Sequence, residues 1–324
     1  MKKLLTTTAI ASVALAGAAM SEIKVSGSIE QTYNSNSFDK AGSQVNGSSA
    51  IGSETNLKVS SSTELDNGMT ASGAFRSENG SIDHKSFKLS SGGFAVELGI
   101  DTGANITGDI IPTVADQTHD FLKHTDIDAT DSLIGADAHD KEHIGLSYKS
   151  DIGTIAVNYA PDTSASNNGS SSVTDGGGSA TEFVFAGSLG VDGLNVKVGQ
   201  QTSESANTTD GDIEETTYQA KYTMGQFSAG FAIRDADDET STTEKSGSEA
   251  FAISYAVNDQ VSISYEDRTT ETDGNATDEE AKAFSVGYNL GGLAIVANIG
   301  EVDNIGGSAG ENGEGFQLRT VYKF

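Results

Sequence analysis

Cysteine is absent from the 324 residues, so the chain has no disulfide framework and no thiolate chemistry. Basic residues are scarce: 19 Lys and Arg stand against 47 Asp and Glu, a formal net charge of -28. That deficit excludes nucleic acid as a partner, because phosphate contacts need Lys and Arg. Apolar residues are few as well, at 35% of the chain, below the roughly 45–50% usual in globular domains with glycine counted. A disordered chain can share this composition, but here the apolar residues recur at alternate positions within short segments, for which disorder gives no reason. After residue 21 there is no run of about 18 apolar residues, so no helix spans a membrane. No G-x-S-x-G element and no fixed short repeat occurs, which argues against a soluble secreted hydrolase and against an acidic, β-rich adhesin or surface-layer protein.

What is present begins with MKKLLTTTAIASVALAGAAMS (1–21). Lys2 and Lys3, an apolar stretch and a small-x-small site at Ala19-Met20-Ser21 follow the order of a secretory signal, cut before Glu22 or, alternatively, after Ala18. The apolar part is too short for a membrane anchor. Residues 22–324 then form one domain.

Within that domain, segments of about eight to eleven residues alternate apolar with polar or small side chains, a period of two that marks strands. They are 23–33, 54–65, 69–78, 82–90, 93–100, 142–150, 153–160, 181–189, 193–201, 215–224, 226–234, 248–257, 259–268, 280–290, 292–301 and 314–324. Short turns such as Asp66-Asn67-Gly68 suit tight hairpins, and they alternate with long polar connections at 34–53, 101–141, 161–180, 202–214, 235–247, 269–279 and 302–313. Asn79–Ser81 alone breaks that alternation.

The last segment, FQLRTVYKF (316–324), has one mostly apolar row, Phe316, Leu318, Thr320, Tyr322 and Phe324, and a mostly polar row between. One face is predicted to meet lipid and the other water. In lipid every backbone N–H and C=O needs an internal partner, so a spanning sheet must close on itself. The expected fold is therefore an all-β, transmembrane antiparallel barrel of 16 strands. Its last strand pairs with IKVSGSIEQTY (23–33), and Phe324 sits in an aromatic girdle.

The signal running into EIKVSGSIEQTY, the sixteen segments, the long fifth connection and the aromatic Phe324 together resemble a Gram-negative general porin of the alphaproteobacterial, Rhodobacter-type kind. The resemblance implies an outer-membrane diffusion channel with short periplasmic turns and long extracellular loops. It also implies a homotrimer embedded in outer-membrane lipid and lipopolysaccharide, conducting small hydrophilic solutes and ions, without enzymatic activity or a cofactor. A solute-selective channel of the same fold is the alternative. Tyr322 and Phe324 would then carry the assembly signal read by the barrel-assembly machinery.

A barrel of about sixteen strands is wide enough for an aqueous channel. With apolar residues outward, Lys24, Lys58, Arg76, Lys88 and Arg319 point inward from strands that neighbour one another once the barrel closes, and form a basic wall sector. Lys149, Lys197, Lys221, Arg234 and Arg268 also point inward, on the other wall. The 101–141 connection holds Asp101, Asp109, Asp116 and Asp120 and an apolar stretch at 106–114. The resemblance implies that this segment folds into the lumen as a constriction loop, its Asp109, Asp116 and Asp120 opposing Lys58, Arg76, Lys88 and Arg319. The acidic mouth predicts weak selectivity for cations.

Two motifs point elsewhere. His139-Asp140-Lys141-Glu142-His143 has the H-x-x-E-H spacing of inverted zinc peptidases, but it runs into an alternating strand, which separates i and i+4 by more than about 10 Å. No metal site is expected there. The Asp-rich stretches DIDATD (126–131) and DADDE (235–239) could hold Ca²⁺, although the EF-hand spacing is missing.

Overall fold

The structure, a computed structural model, describes residues 22–40, 43–45, 47–100, 103–114, 122, 138, 141–161, 178–204, 212–238 and 245–324. The predicted signal, 1–21, lies outside the described residues. Seventeen strands are present among them. The first six are β1 (Glu22–Lys40), the short β2 (Ser43–Val45), β3 (Ser49–Glu64), β4 (Thr70–Glu78), β5 (Ser81–Ser91) and β6 (Phe94–Ile100). Then follow β7 (His143–Ser150), β8 (Gly153–Ala160), β9 (Ala180–Gly187), β10 (Leu194–Ser203), β11 (Ile213–Met224) and β12 (Phe227–Asp238). The last are β13 (Lys245–Ala256), β14 (Val261–Thr272), β15 (Glu279–Asn289), β16 (Leu293–Asp303) and β17 (Asn312–Lys323).

Apart from β2, each strand overlaps one of the sixteen predicted segments, and each pairs antiparallel with its neighbours in chain order. Closure comes from β1, which is bonded to β3 on one side and to β17 on the other, with Ser28 opposite Lys323 and Asp39 opposite Asn312. The ladder continues through Phe324. Its N–H donates to the Gly27 carbonyl at 3.0 Å, and the Gly27 N–H donates to the Phe324 carbonyl at 2.9 Å. The Phe324 ring covers Gly27 so closely that a Cβ there would lie 2.7 Å from it. The result is a closed 16-strand barrel with no free sheet edge, the only sheet that satisfies its backbone in lipid.

The side-chain pattern is inverted relative to a soluble protein. Outward positions carry Ile23, Val25, Phe94, Phe183, Phe231, Phe251, Ile299 and Leu318, with Phe94 68% and Phe324 58% exposed. Inward positions carry Asn158, Glu182, Gln201, Glu215 and Gln317, all buried. A continuous apolar exterior of this extent would aggregate in water and is stable only against lipid.

Two departures from the sequence expectation concern the first hairpins. The 34–53 connection is not a long loop: β1 runs to Lys40, β3 starts at Ser49, and Asn36 ties the tip, its side chain accepting from the Ser48 N–H at 2.9 Å. Its Asn, Ser and Gly residues have low strand propensity, so backbone pairing is what makes it a strand. Between β4 and β5, Asn79 (φ 48) and Gly80 (φ 90) form a tight left-handed turn, in keeping with the predicted short exception.

Phe324→Asp is expected to reduce the yield of folded barrel several-fold, while Lys323→Asp, on the inward face, leaves it near wild type. The heat-modifiable gel shift of membrane fractions measures this, and equal yields would contradict the closure described.

Candidate functional site

Inside the barrel the wall divides into two parts. Along β9 to β16 the inward positions are small: Gly199, Gly230, Ala232, Ala250, Ala252, Ala283 and Gly287. The 103–114 segment lies directly on them. Ile106 is buried against Gly199 and Val184, Pro112 against Gly230, and Val114 against Gly287, each where a Cβ would collide. Ile111 packs into a cluster with Ala232, Ala250 and Ala252, and further along the connection Leu122 packs with Ala281, Ala283 and Val302. The apolar stretch therefore folds into the lumen, because the wall offers it an apolar seat that water does not.

Polar wall residues then fasten the segment by its backbone. Asn158 donates to the Ala104 carbonyl at 2.8 Å, and Glu182 accepts the Ile106 N–H at 3.0 Å. Gln219 accepts the Ile110 N–H at 2.7 Å, Ser264 the Val114 N–H at 2.8 Å, and Gln201 the Ala138 N–H at 2.8 Å. Lys197 donates to the Gly108 carbonyl at 2.9 Å and also to that of Thr107. These bonds satisfy loop groups that burial would otherwise leave unpaired, each at a net gain of about 1 kcal/mol.

Asp109 is the electrostatic centre of the clamp. Its fully buried carboxylate meets Arg234 of β12 at 2.8 Å and Arg268 of β14, and Arg268 also reaches Glu266 at 3.2 Å. This corrects the expectation that Asp109 opposes Lys58, Arg76, Lys88 and Arg319. The flanking Ile106, Ile111 and Pro112 seat on the β9–β16 wall, and the carboxylate goes with them to the two arginines of that wall. Asp101, Asp116 and Asp120 lie outside the described residues, as does DIDATD (126–131).

Across the lumen the β17–β1–β3–β4–β5 wall keeps its charges. Lys58 stands opposite Arg76, Lys24 opposite Ser60, Lys88 opposite Ser72 and Glu97, and Arg319 opposite Thr32. The five residues share one wall, but it is not purely basic. Arg76 pairs with Asp83 at 2.6 Å, Lys88 with Glu97 at 3.5 Å and Arg319 with Glu30 at 3.7 Å. Glu30 and Glu54 face each other directly, and Glu78 adds a further carboxylate. The period-two rule that selects Lys58 also selects Glu54, so these acids were legible. Asp83 was not, because a register shift at Arg76/Ser77 turns it toward Arg76.

Tyr322 and Phe324 point outward, their rings 6.2 Å apart. Of the H-x-x-E-H stretch, His139 lies outside the described residues. Glu142 pairs with Lys85 at 2.7 Å, whereas His143, buried in β7, accepts or donates through Nδ1 at the Lys141 carbonyl, 3.0 Å away. Among the described residues no three metal-ligating side chains converge.

Removing one member of a buried ion pair costs about 3–5 kcal/mol. Asp109→Ala is therefore expected to loosen the inner segment and to give a larger and noisier single-channel conductance from a barrel that still assembles. An unchanged trace would show that the clamp does not depend on the carboxylate.

Comparison with known proteins follows the same lines. A family model described as Gram-negative porin matches residues 6–307. No curated protein matches the chain. Among solved structures, an anion-selective porin from Comamonas acidovorans shares 16% identity at a TM-score of 0.69, covering 94% of this chain and 100% of its own. A Rhodopseudomonas blastica porin triple mutant shares 14% at 0.58, covering 94% and 100%. The outer-membrane expressed OmpT of Vibrio cholerae shares 13% at 0.60, covering 95% and 100%. At these identities the structures establish the fold alone, but with the family match over most of the chain, this protein belongs to the Gram-negative porin family and is a protein of the outer membrane.

Proposed function

We propose that the chain is a non-enzymatic, water-filled channel for passive diffusion of small hydrophilic solutes and ions, weakly selective for cations. The observation that carries this reading is the divided lumen: one wall holds a clamped segment, and the facing wall keeps its charges toward water. Fixed charges of both signs on that wall favour hydrated solutes over apolar ones.

The sign of selectivity is not set by the fold, since the Comamonas relative is described as anion-selective. Here Asp109 is neutralised by its arginines, so it adds little to the field in the lumen. Support for cations comes from the net charge of -28 and from the row of Glu30, Glu54 and Glu78 on the open wall. A solute-selective pore is the second reading, favoured by the serine and lysine carpet on the same wall. The alphaproteobacterial, Rhodobacter-type affiliation rests on the sequence pattern and on likeness to the Rhodopseudomonas protein. A homotrimer in lipid and lipopolysaccharide, assembled through the outward Tyr322 and Phe324 by the barrel-assembly machinery, completes the proposal. A trimer form is described for the Vibrio relative.

The test is the zero-current potential across a bilayer under a KCl gradient. A cation-selective potential is expected at low salt, fading as the Debye length falls from about 30 Å at 0.01 M to about 3 Å at 1 M. Glu54→Gln with Glu78→Gln should weaken it. An anion-selective potential at low salt would overturn the selectivity.

A further inference from the structure

The open wall contains a feature that passive diffusion does not require. Between β1, β3, β4 and β5 the lumen surface forms a recess of about 330 Å³, ringed by Lys24, Lys58 and Lys88 over a floor that includes Ser60, Ser72 and Ser86. Lys24 stands opposite Ser60, Lys58 lies two residues along the same face, and Lys88 stands opposite Ser72. Strands spaced about 4.8 Å apart place these lysines within side-chain reach of one volume. The floor is shallow in side chain, with Gly73 and Ala74 beside the serines, which is why a recess exists at all.

The charges are only partly compensated. Lys88 lies 3.5 Å from Glu97, and Glu22 also lines the recess. Lys24 and Lys58 have no ion-pair partner among the described residues. Three ammoniums against two carboxylates leave a net positive pocket with hydroxyl donors in its base. Lysine acts as a point charge with three donors, and hydroxyls rotate to suit, a combination that fits a compact tetrahedral oxyanion better than a planar carboxylate, for which a guanidinium fork is the match. The opposite wall offers nothing comparable, because its inward polar groups are occupied by the inner segment.

We propose that this recess is a weak binding station for small inorganic oxyanions of the sulfate and phosphate class on their way through the pore. The proposal rests on the channel reading above, and is independent of the ion selectivity set at the mouth. Weak binding suits a pore, where a solute must be held enough to enter and released enough to leave.

The experiment measures chloride current through the purified full-length protein in planar bilayers while potassium sulfate replaces KCl at constant ionic strength, with potassium gluconate as the control replacement. The expected result is a saturable block by sulfate that gluconate does not produce. Lys24→Gln with Lys58→Gln should raise the half-blocking concentration by about tenfold, the equivalent of losing one charge-assisted contact. Lys58→Gln alone should give a smaller rise, and covers the case in which the double variant does not assemble. Lys221→Gln, which removes a lumen charge from β11 outside the recess, should leave the block unchanged. Normal conductance with a linear response to sulfate, or a block insensitive to Lys58→Gln, overturns the station and leaves the channel reading standing. Absence of any conductance overturns both.

Discussion

An unpaired backbone amide in hydrocarbon costs several kcal/mol, and the whole barrel is arranged to avoid that cost. The requirement is met locally by the ladders between chain neighbours and globally by one long-range pairing, β1 with β17. Closure is completed by the reciprocal bonds between Gly27 and Phe324, with the aromatic ring over the glycine. Once the sheet is closed, the pleat sends alternate side chains to lipid and to water, and outward phenylalanines and inward amides follow from the same geometry.

Closure also creates the problem that the inner segment solves. A barrel of this size encloses more space than its own side chains fill. On the β9–β16 side the wall residues are small enough to admit a second layer of chain, and that layer needs every buried backbone group satisfied. Glu182, Gln219, Ser264 and Lys197 do this, while Arg234 and Arg268 hold Asp109. The β1–β5 wall carries lysine, arginine and glutamate that stay hydrated, and no inner layer is described there. Charge therefore survives on one side of the lumen because it has been consumed on the other.

Much of this was legible in the chain itself. Outward rows such as Phe316, Leu318 and Tyr322 reveal strands because lipid demands apolar residues at strict alternation. The Asn-rich upper part of β1 makes no such demand, and its pairing with β3 left no periodic trace. The apolar 106–114 stretch announced an internal seat, but its partner did not show: Asp109 and Arg268 are 159 positions apart, and only the folded wall brings them together. Gly199, Gly230 and Gly287, inward and small in a barrel whose other inward residues are polar, were the signal that could have located the seat. The carboxylates of the open wall needed only the parity rule, applied to acids as well as bases.

Single-channel conductance of the purified protein in a planar bilayer tests the central claim, a closed barrel with one wall lined by a clamped inner segment, most directly. The account predicts discrete, ohmic steps, well below the conductance of an unobstructed tube of sixteen strands. Steps of the size of an empty tube, or no steps at all from correctly folded protein, would contradict it.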